Sequence, residues 1–223
     1  MSEPNTVNLL DSALGSLLPA GIKHAVGRIP EGPRFRFQAE AERMGSAGDY
    51  RKREFAGGRD CARAALGRAG FPEEPIPADD DGVPVWPAGA RAAISHSRAY
   101  CAAVAARSAE YRILGLDLEK TNRLSRSAIA RVVHPKEQAY VQGDQQQASL
   151  LFCAKEAFFK AQFPVWRTHA NFHDLLLEVD AENDSMAVQH IDRRFPEELR
   201  ALATDIQFRF RFFEDFVVTA CWL

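Results

Sequence analysis

Two short stretches hold the residues capable of chemistry. The first, Ile113–Lys120, reads ILGLDLEK. Strand side chains alternate between faces, so Leu114, Leu116 and Leu118 share one side and Gly115, Asp117 and Glu119 the other. Two carboxylates side by side repel, and the pair needs solvent, cationic side chains or a metal ion. The second stretch, Leu150–Ala161, reads LLFCAKEAFFKA. It has the pattern of a helix apolar nearly all round, yet it carries Lys155, Glu156 and Lys160. Glu156 and Lys160 lie four apart and share a face, while Lys155 sits about 100° around from Glu156. Buried charges need partners or a function. Joined to Asp117 and Glu119, Glu156 would complete an oxygen-rich Mg²⁺ site with the lysines turned toward anionic ligand oxygens. That set suits phosphoryl transfer.

The elements that must position these residues follow from pattern. Residues 8–18 read as a short helix, and Asp49–Arg68 as a longer one with Phe55, Ala62 and Leu66 on one side and Gly57-Gly58 as a weak point. The Pro- and Gly-rich run from Phe71 to Ala90 is an extended loop. AAISHSRAYCAAVAAR predicts two strands about a turn near Ser97–Ala99. After the acidic strand come helical segments near 124–132 and 135–147, then the helix of Lys155 and Glu156. The tail, FHDLLLEVD, MAVQHID, IQFRFRFFE and FVVTACWL, predicts a run of antiparallel strands. Each half offers a helix plus strands, so the fold class is α+β with two sub-domains.

The 223 residues can bury a sizeable core as one domain or two. A net charge of -2 argues against a general nucleic-acid binder. No apolar run has membrane-span length, and the start, MSEPNTVNLL, lacks the basic region of a signal peptide. The four cysteines, Cys61, Cys101, Cys153 and Cys221, are scattered without a CxxC pair, as in a reduced cytoplasmic protein.

GLDLE followed by FCAKEAFFKA resembles the paired signatures of the 4′-phosphopantetheinyl transferase superfamily. The nearest group is the one typified by the surfactin-synthetase-activating enzyme and enterobactin synthase component D. RKREFAGGRDCARAAL, GVPVWPAG and ISHS extend the resemblance upstream in the family's order, so that it covers roughly residues 40–175. The resemblance implies Asp117, Glu119 and Glu156 as Mg²⁺ ligands, with Glu156 also the general base. It implies Lys155 and Lys160 as phosphate contacts, Ser95 and His96 as holders of coenzyme A with the histidine at its 3′-phosphate, and Arg51 and Arg59 as basic residues facing the nucleotide end. It further implies a pseudo-dimer of two similar α+β halves, residues 1–110 with the nucleotide contacts and 111–223 with the metal site and catalytic helix, and an active site in the cleft between them. The implied reaction moves 4′-phosphopantetheine from coenzyme A to a serine of an apo acyl or peptidyl carrier protein, by a cytoplasmic monomer with no nucleic-acid or membrane partner. The chain departs from the family at Ala92-Ala93, where Gly-Ser is usual, and in the acidic loop Ala78–Asp81, where a basic residue is common.

Other readings weigh less. A solvated edge strand would leave the leucine face unburied. A strand-based nuclease core needs its lysine on the same face as the second acid, and Lys120 follows Glu119 on the opposite one. A non-catalytic coenzyme A or carrier-binding module needs no Lys-Glu-Lys helix. His169 and His173 are spaced i,i+4 like half a zinc site but bring no third ligand. Lys155, Lys160 and the metal are expected to outweigh burial and Asp117, keeping Glu156 ionised at neutral pH.

Overall fold

The computed structural model describes residues 4–223. Contacts divide the chain into two compact units, one running to Arg112 and the other Ile113–Leu223.

In the first unit, helix α1 (Pro4–Leu17) precedes strand β1 (Lys23–Arg28) and the short helix α2 (Gln38–Met44). Helix α3 (Asp49–Arg68) leads through the long loop to the hairpin β2 (Ala90–Ser97) and β3 (Tyr100–Arg107). The sheet is antiparallel in the order β1-β3-β2. Sequence reasoning assigns neither β1 nor α2. The segment KHAVGR is short and mostly polar, and it becomes a strand only by pairing with β3. The glycine pair in α3 does not break the helix. A Cβ on Gly58 would come within 2.9 Å of Ile94 Cγ2, and one on Gly57 within 3.1 Å of Pro30 Cδ. Both glycines therefore let α3 lie close against the strands. The facing core is made of small side chains, with Ala62, Ala65, Ala103 and Ala105 fully buried.

The long loop is tied down from inside. Ile76 N–H donates to Glu40 Oε1 at 2.9 Å, and Ile76 O accepts from Arg59 Nε at 2.8 Å. Glu40 is itself paired with Arg63 at 2.6 Å, both side chains buried. In the acidic turn, Asp79 Oδ1 accepts from the amides of Asp81 and Val83 while Asp80 and Asp81 face solvent.

The second unit opens with β4 (Leu114–Lys120), followed by helices α4 (Arg126–Val132), α5 (Gln138–Val141) and α6 (Gln145–Trp166). Strands β5 (Leu175–Asp180) and β6 (Ser185–Ile191), helix α7 (Glu197–Ala201), and strands β7 (Gln207–Phe213) and β8 (Phe216–Trp222) complete it. The sheet is antiparallel in the order β4-β8-β7-β6-β5. β4 pairs with β8 along its whole length, from Leu114↔Trp222 to Lys120↔Phe216. One expectation is corrected here: no single helix covers 135–147. A 3₁₀ turn at Pro135–Glu137 runs into α5, which stops at Gln142 and Gly143. Both of these residues are left-handed, with φ of 47° and 81°. Asp144 then caps α6 through the Gln147 amide at 2.9 Å. The new helix therefore starts three residues before its apolar run.

Both faces of β4 are buried. Leu114, Leu116 and Leu118 are at most 3% exposed, and Asp117 and Glu119 are only 3% and 5% exposed. The acidic face lies against α6. A Cβ on Gly115 would stand 2.9 Å from Ala161 Cβ and closer still to the carbonyl oxygen of Ala157. Gly115→Ala must push the helix off the strand. We expect a loss of about 3 kcal/mol, the upper end of core overpacking, in chemical denaturation; a wild-type midpoint would mean the contact is not tight.

Candidate active site

The contact of α6 with β4 gathers four of the predicted residues. Lys160 Nζ donates to Asp117 Oδ1 at 2.6 Å. Glu156, one turn earlier on the helix, feels the charges of Asp117 and Lys160. Arg123, in the turn that follows β4, bonds Glu119 Oε1 through Nη1 and lies over the Phe152 ring of α6 at 5.4 Å. Burial first, and then the Asp117 charge, raise the pKa of Glu119 to about 7 against the pull of Arg123 and Lys160. The same two causes raise Glu156 above the usual carboxylate range. Without a metal ion, burial and Asp117 outweigh Lys160 and Arg123 at Glu156, whereas the balance expected from sequence counts the metal charge as well. Burial opposes the charge of Lys160, but the Asp117 carboxylate prevails and its pKa is raised.

The donor set fits Mg²⁺. Carboxylate oxygens are the ligands this ion prefers, and Glu119 Oε2 is buried with no hydrogen-bond partner among the described residues. Among those residues no three His, Cys, Asp or Glu side chains come together as a group that could hold a metal ion by itself. The acids form an open face that needs oxygens from elsewhere, as Mg²⁺ sites shared with substrate phosphates do.

Lys155 points elsewhere. Its Nζ donates to Glu137 Oε2 at 2.7 Å and to Val132 O at 3.0 Å, and both side chains of the ion pair are 2% exposed. Burial lowers the Lys155 pKa against the attraction of Glu137. Glu137 also accepts from the amides of His134 at 2.8 Å and Leu177 at 3.0 Å, so one carboxylate ties the α4–α5 connection, α6 and β5 together. Beside it a cavity of about 250 Å³ is lined by Glu156, Phe159, Gln162, His169, Asn171 and Phe172 among others. His169 packs on Phe163 and His173 on His134.

In the first unit, α3 and the end of β2 meet at His96. Its Nδ1 is 3.2 Å from Glu54 Oε1, and its Nε2 is 3.3 Å from Arg51 Nη1. Arg51 also reaches Glu54 at 3.4 Å. Ser95 is buried beside it, 2% exposed. Arg59 is turned inward, its guanidinium 4.2 Å from the centre of the Phe55 ring, and burial lowers its pKa to about 10. Sequence reasoning missed Glu54, Arg123 and Glu137. Glu54 lies i,i+3 from Arg51 and Arg123 four residues beyond Glu119, spacings that signal pairing. Glu137 has no such signal, because its partners are far away in the chain.

Residues 39–106 match the family model of the 4′-phosphopantetheinyl transferase N-terminal domain, and residues 113–221 that of the 4′-phosphopantetheinyl transferase superfamily. The chain is 35% identical over 178 residues to 4′-phosphopantetheinyl transferase Svp of Streptomyces mobaraensis, covering 76% of this chain and 72% of that protein. The chain belongs to the 4′-phosphopantetheinyl transferase superfamily. Other members similar to it are Npt of Nocardia iowensis and PptT of Mycobacterium tuberculosis. Npt is 31% identical over 174 residues, 76% of this chain and 78% of that one. PptT is 32% identical over 147 residues, 64% of this chain and 65% of that one. The two stretches that carry the resemblance, GLDLE and FCAKEAFFKA, fall on β4 and α6.

Glu137→Gln keeps the shape of this hub but leaves the Lys155 ammonium buried without its counter-ion. Breaking a buried pair this way costs about 3–5 kcal/mol. Urea denaturation of the variant should show a loss of that order, and a loss below about 1 kcal/mol would mean the pair is replaceable by a neutral hydrogen bond.

Proposed function

We propose that this chain transfers the 4′-phosphopantetheine of coenzyme A to a serine hydroxyl of an apo acyl or peptidyl carrier protein, leaving adenosine 3′,5′-bisphosphate. The carrying observation is the cluster on β4 and α6, in which Lys160 is held on Asp117 and Arg123 on Glu119 beside Glu156, within a chain of this family.

Asp117, Glu119 and Glu156 would hold Mg²⁺, which when bound supplies positive charge against the pyrophosphate. The chain's own groups do the rest. The Glu156 carboxylate takes the serine proton, directly or through a water, as the serine oxygen bonds to the phosphorus nearer the pantetheine. The bond from that phosphorus to the bridging oxygen breaks, and the oxygen leaves on the adenosine bisphosphate. Lys160, steadied by Asp117, places its positive charge against the equatorial oxygens. The cavity beside Glu156 suits the pantetheine arm, whose amides alternate with aliphatic carbons as its lining alternates Gln162 and Asn171 with phenylalanines. Lys155 acts through Glu137 to fix the helix register. In the first unit, His96 and Arg51 take the 3′-phosphate, with Ser95 and the inward-turned Arg59 supporting α3 and β2. The enzyme works as a monomer in the cytoplasm, where coenzyme A is found and where its four free thiols stay reduced. A nuclease reading is disfavoured because Lys120 is engaged with Asp215, away from the acids.

Incubation with Mg²⁺, coenzyme A and a panel of apo carriers, followed by intact mass, tests the reaction. Addition of one phosphopantetheine group per carrier domain is expected, and coenzyme A binding with every carrier unmodified would reduce the protein to a binding module. Glu156→Gln keeps size while removing basicity. Turnover should fall by roughly 10²–10⁴ with coenzyme A binding near normal, as for loss of a general base; full turnover would remove Glu156 from the reaction. For the nucleotide end, His96→Ala should weaken coenzyme A about ten- to a hundredfold while sparing dephospho-coenzyme A, as loss of one charge-assisted contact does. Equal losses for both ligands would move His96 away from the 3′-phosphate.

A further inference from the structure

We infer that Arg123 is a substrate-binding residue of this site, coupling coenzyme A binding to metal binding by competing with the cation in its absence and contacting phosphate in its presence. The inference rests on the proposed transfer reaction.

Three observations set Arg123 apart from the other cations. Its side chain is 54% exposed, whereas that of Glu119, to which it bonds, is 7% exposed. The guanidinium has five N–H donors in a fixed fork, and Nη1 alone meets Glu119, so most of the fork faces solvent at the rim of the acid cluster. It is also aimed: its carbon lies 5.4 Å from the centre of the Phe152 ring, which in turn packs on Phe172 at 5.4 Å. The neighbouring cations are committed, Lys120 to Asp215 and Lys155 to Glu137.

Charge decides what such a residue does. Arg123 feels Asp117 and Glu156 as well as Glu119. Counted with all three carboxylates ionised, the form a bound cation favours, the acids against Lys160 and Arg123 give one negative charge, which a divalent cation turns into one positive charge. Without Arg123 the metal-loaded face would reach only neutrality and would attract a pyrophosphate far less. The same guanidinium repels an approaching cation while it sits on Glu119 Oε1. Arg123 thus weakens metal binding by the protein alone and strengthens nucleotide binding once metal is present. A residue that only oriented Glu119 would instead favour metal binding in both states.

The test is titration calorimetry on the full chain with Mg²⁺ alone, and with coenzyme A at saturating Mg²⁺. Arg123→Gln should bind Mg²⁺ several-fold more tightly than wild type and coenzyme A roughly ten- to a hundredfold more weakly. Arg123→Lys keeps the charge without the fork; it should match wild type for Mg²⁺ alone and recover only part of the coenzyme A affinity. It also serves as the deciding variant if the glutamine form melts early. Unchanged coenzyme A affinity in either variant, or weaker Mg²⁺ binding by the glutamine form, overturns the inference. Wild-type protein that binds neither Mg²⁺ nor coenzyme A overturns the proposed function itself, a separate result.

Discussion

The catalytic half depends on how near helix α6 can come to strand β4. At Gly115 the two backbones are so close that a methyl group has no place. That proximity brings Lys160 within 2.6 Å of Asp117 and sets Glu156 beside the strand acids. A helix on a sheet is ordinarily separated from it by a layer of side chains. Here, at Gly115, the layer is reduced to Ala157 and Ala161, both at most 2% exposed. Two residues before its first acid, the strand gives up its own side chain so that helix charges can reach the ones it keeps.

The cost of burying so many charges is met differently on two sides of the same helix. Lys155 faces Glu137 in a closed pair, with further bonds to main-chain groups, and that arrangement is structural glue. Lys160 faces Asp117, and Arg123 faces Glu119, whose second oxygen is buried with no hydrogen-bond partner among the described residues. Incompletely paired buried carboxylates are unfavourable in an inert core and useful where an ion or a phosphate group has to arrive. Adjacent residues in sequence, Lys155 and Glu156, therefore belong to different economies of charge. The 100° step between successive helical residues is what separates them.

Much of this was readable in the sequence. Alternation in ILGLDLEK gave the two faces of β4, and the apolar setting of Lys155, Glu156 and Lys160 marked them as unusual. The sequence puts Gly115 on the acidic face of the strand, but not that the helix backbone fills the space its missing side chain leaves. The equivalence of Lys155 and Lys160 did not survive, because spacing along a helix says which residues share a face but not what the face meets. Glu137 was invisible for the same reason: its meaning lies in contacts with α6 and β5. The strand β1 and the break at Gln142-Gly143 were missed where local pattern is weak and pairing or left-handed backbone decides.

The unbroken ladder between β4 and β8 has a consequence for motion. Asp117 and Glu119 ride on a strand laddered to β8 along its whole length and packed against α6, so sheet and helix together fix their backbone positions. Arg123 reaches in from the turn just past that ladder on a long, largely exposed side chain, whose rotamers change far faster than a paired strand opens. One carboxylate, Glu119, is thus held at its backbone by a paired strand and at its tip by an exposed side chain. The site keeps a fixed anvil for chemistry and a compliant finger for arrivals and departures, separated by four residues of chain.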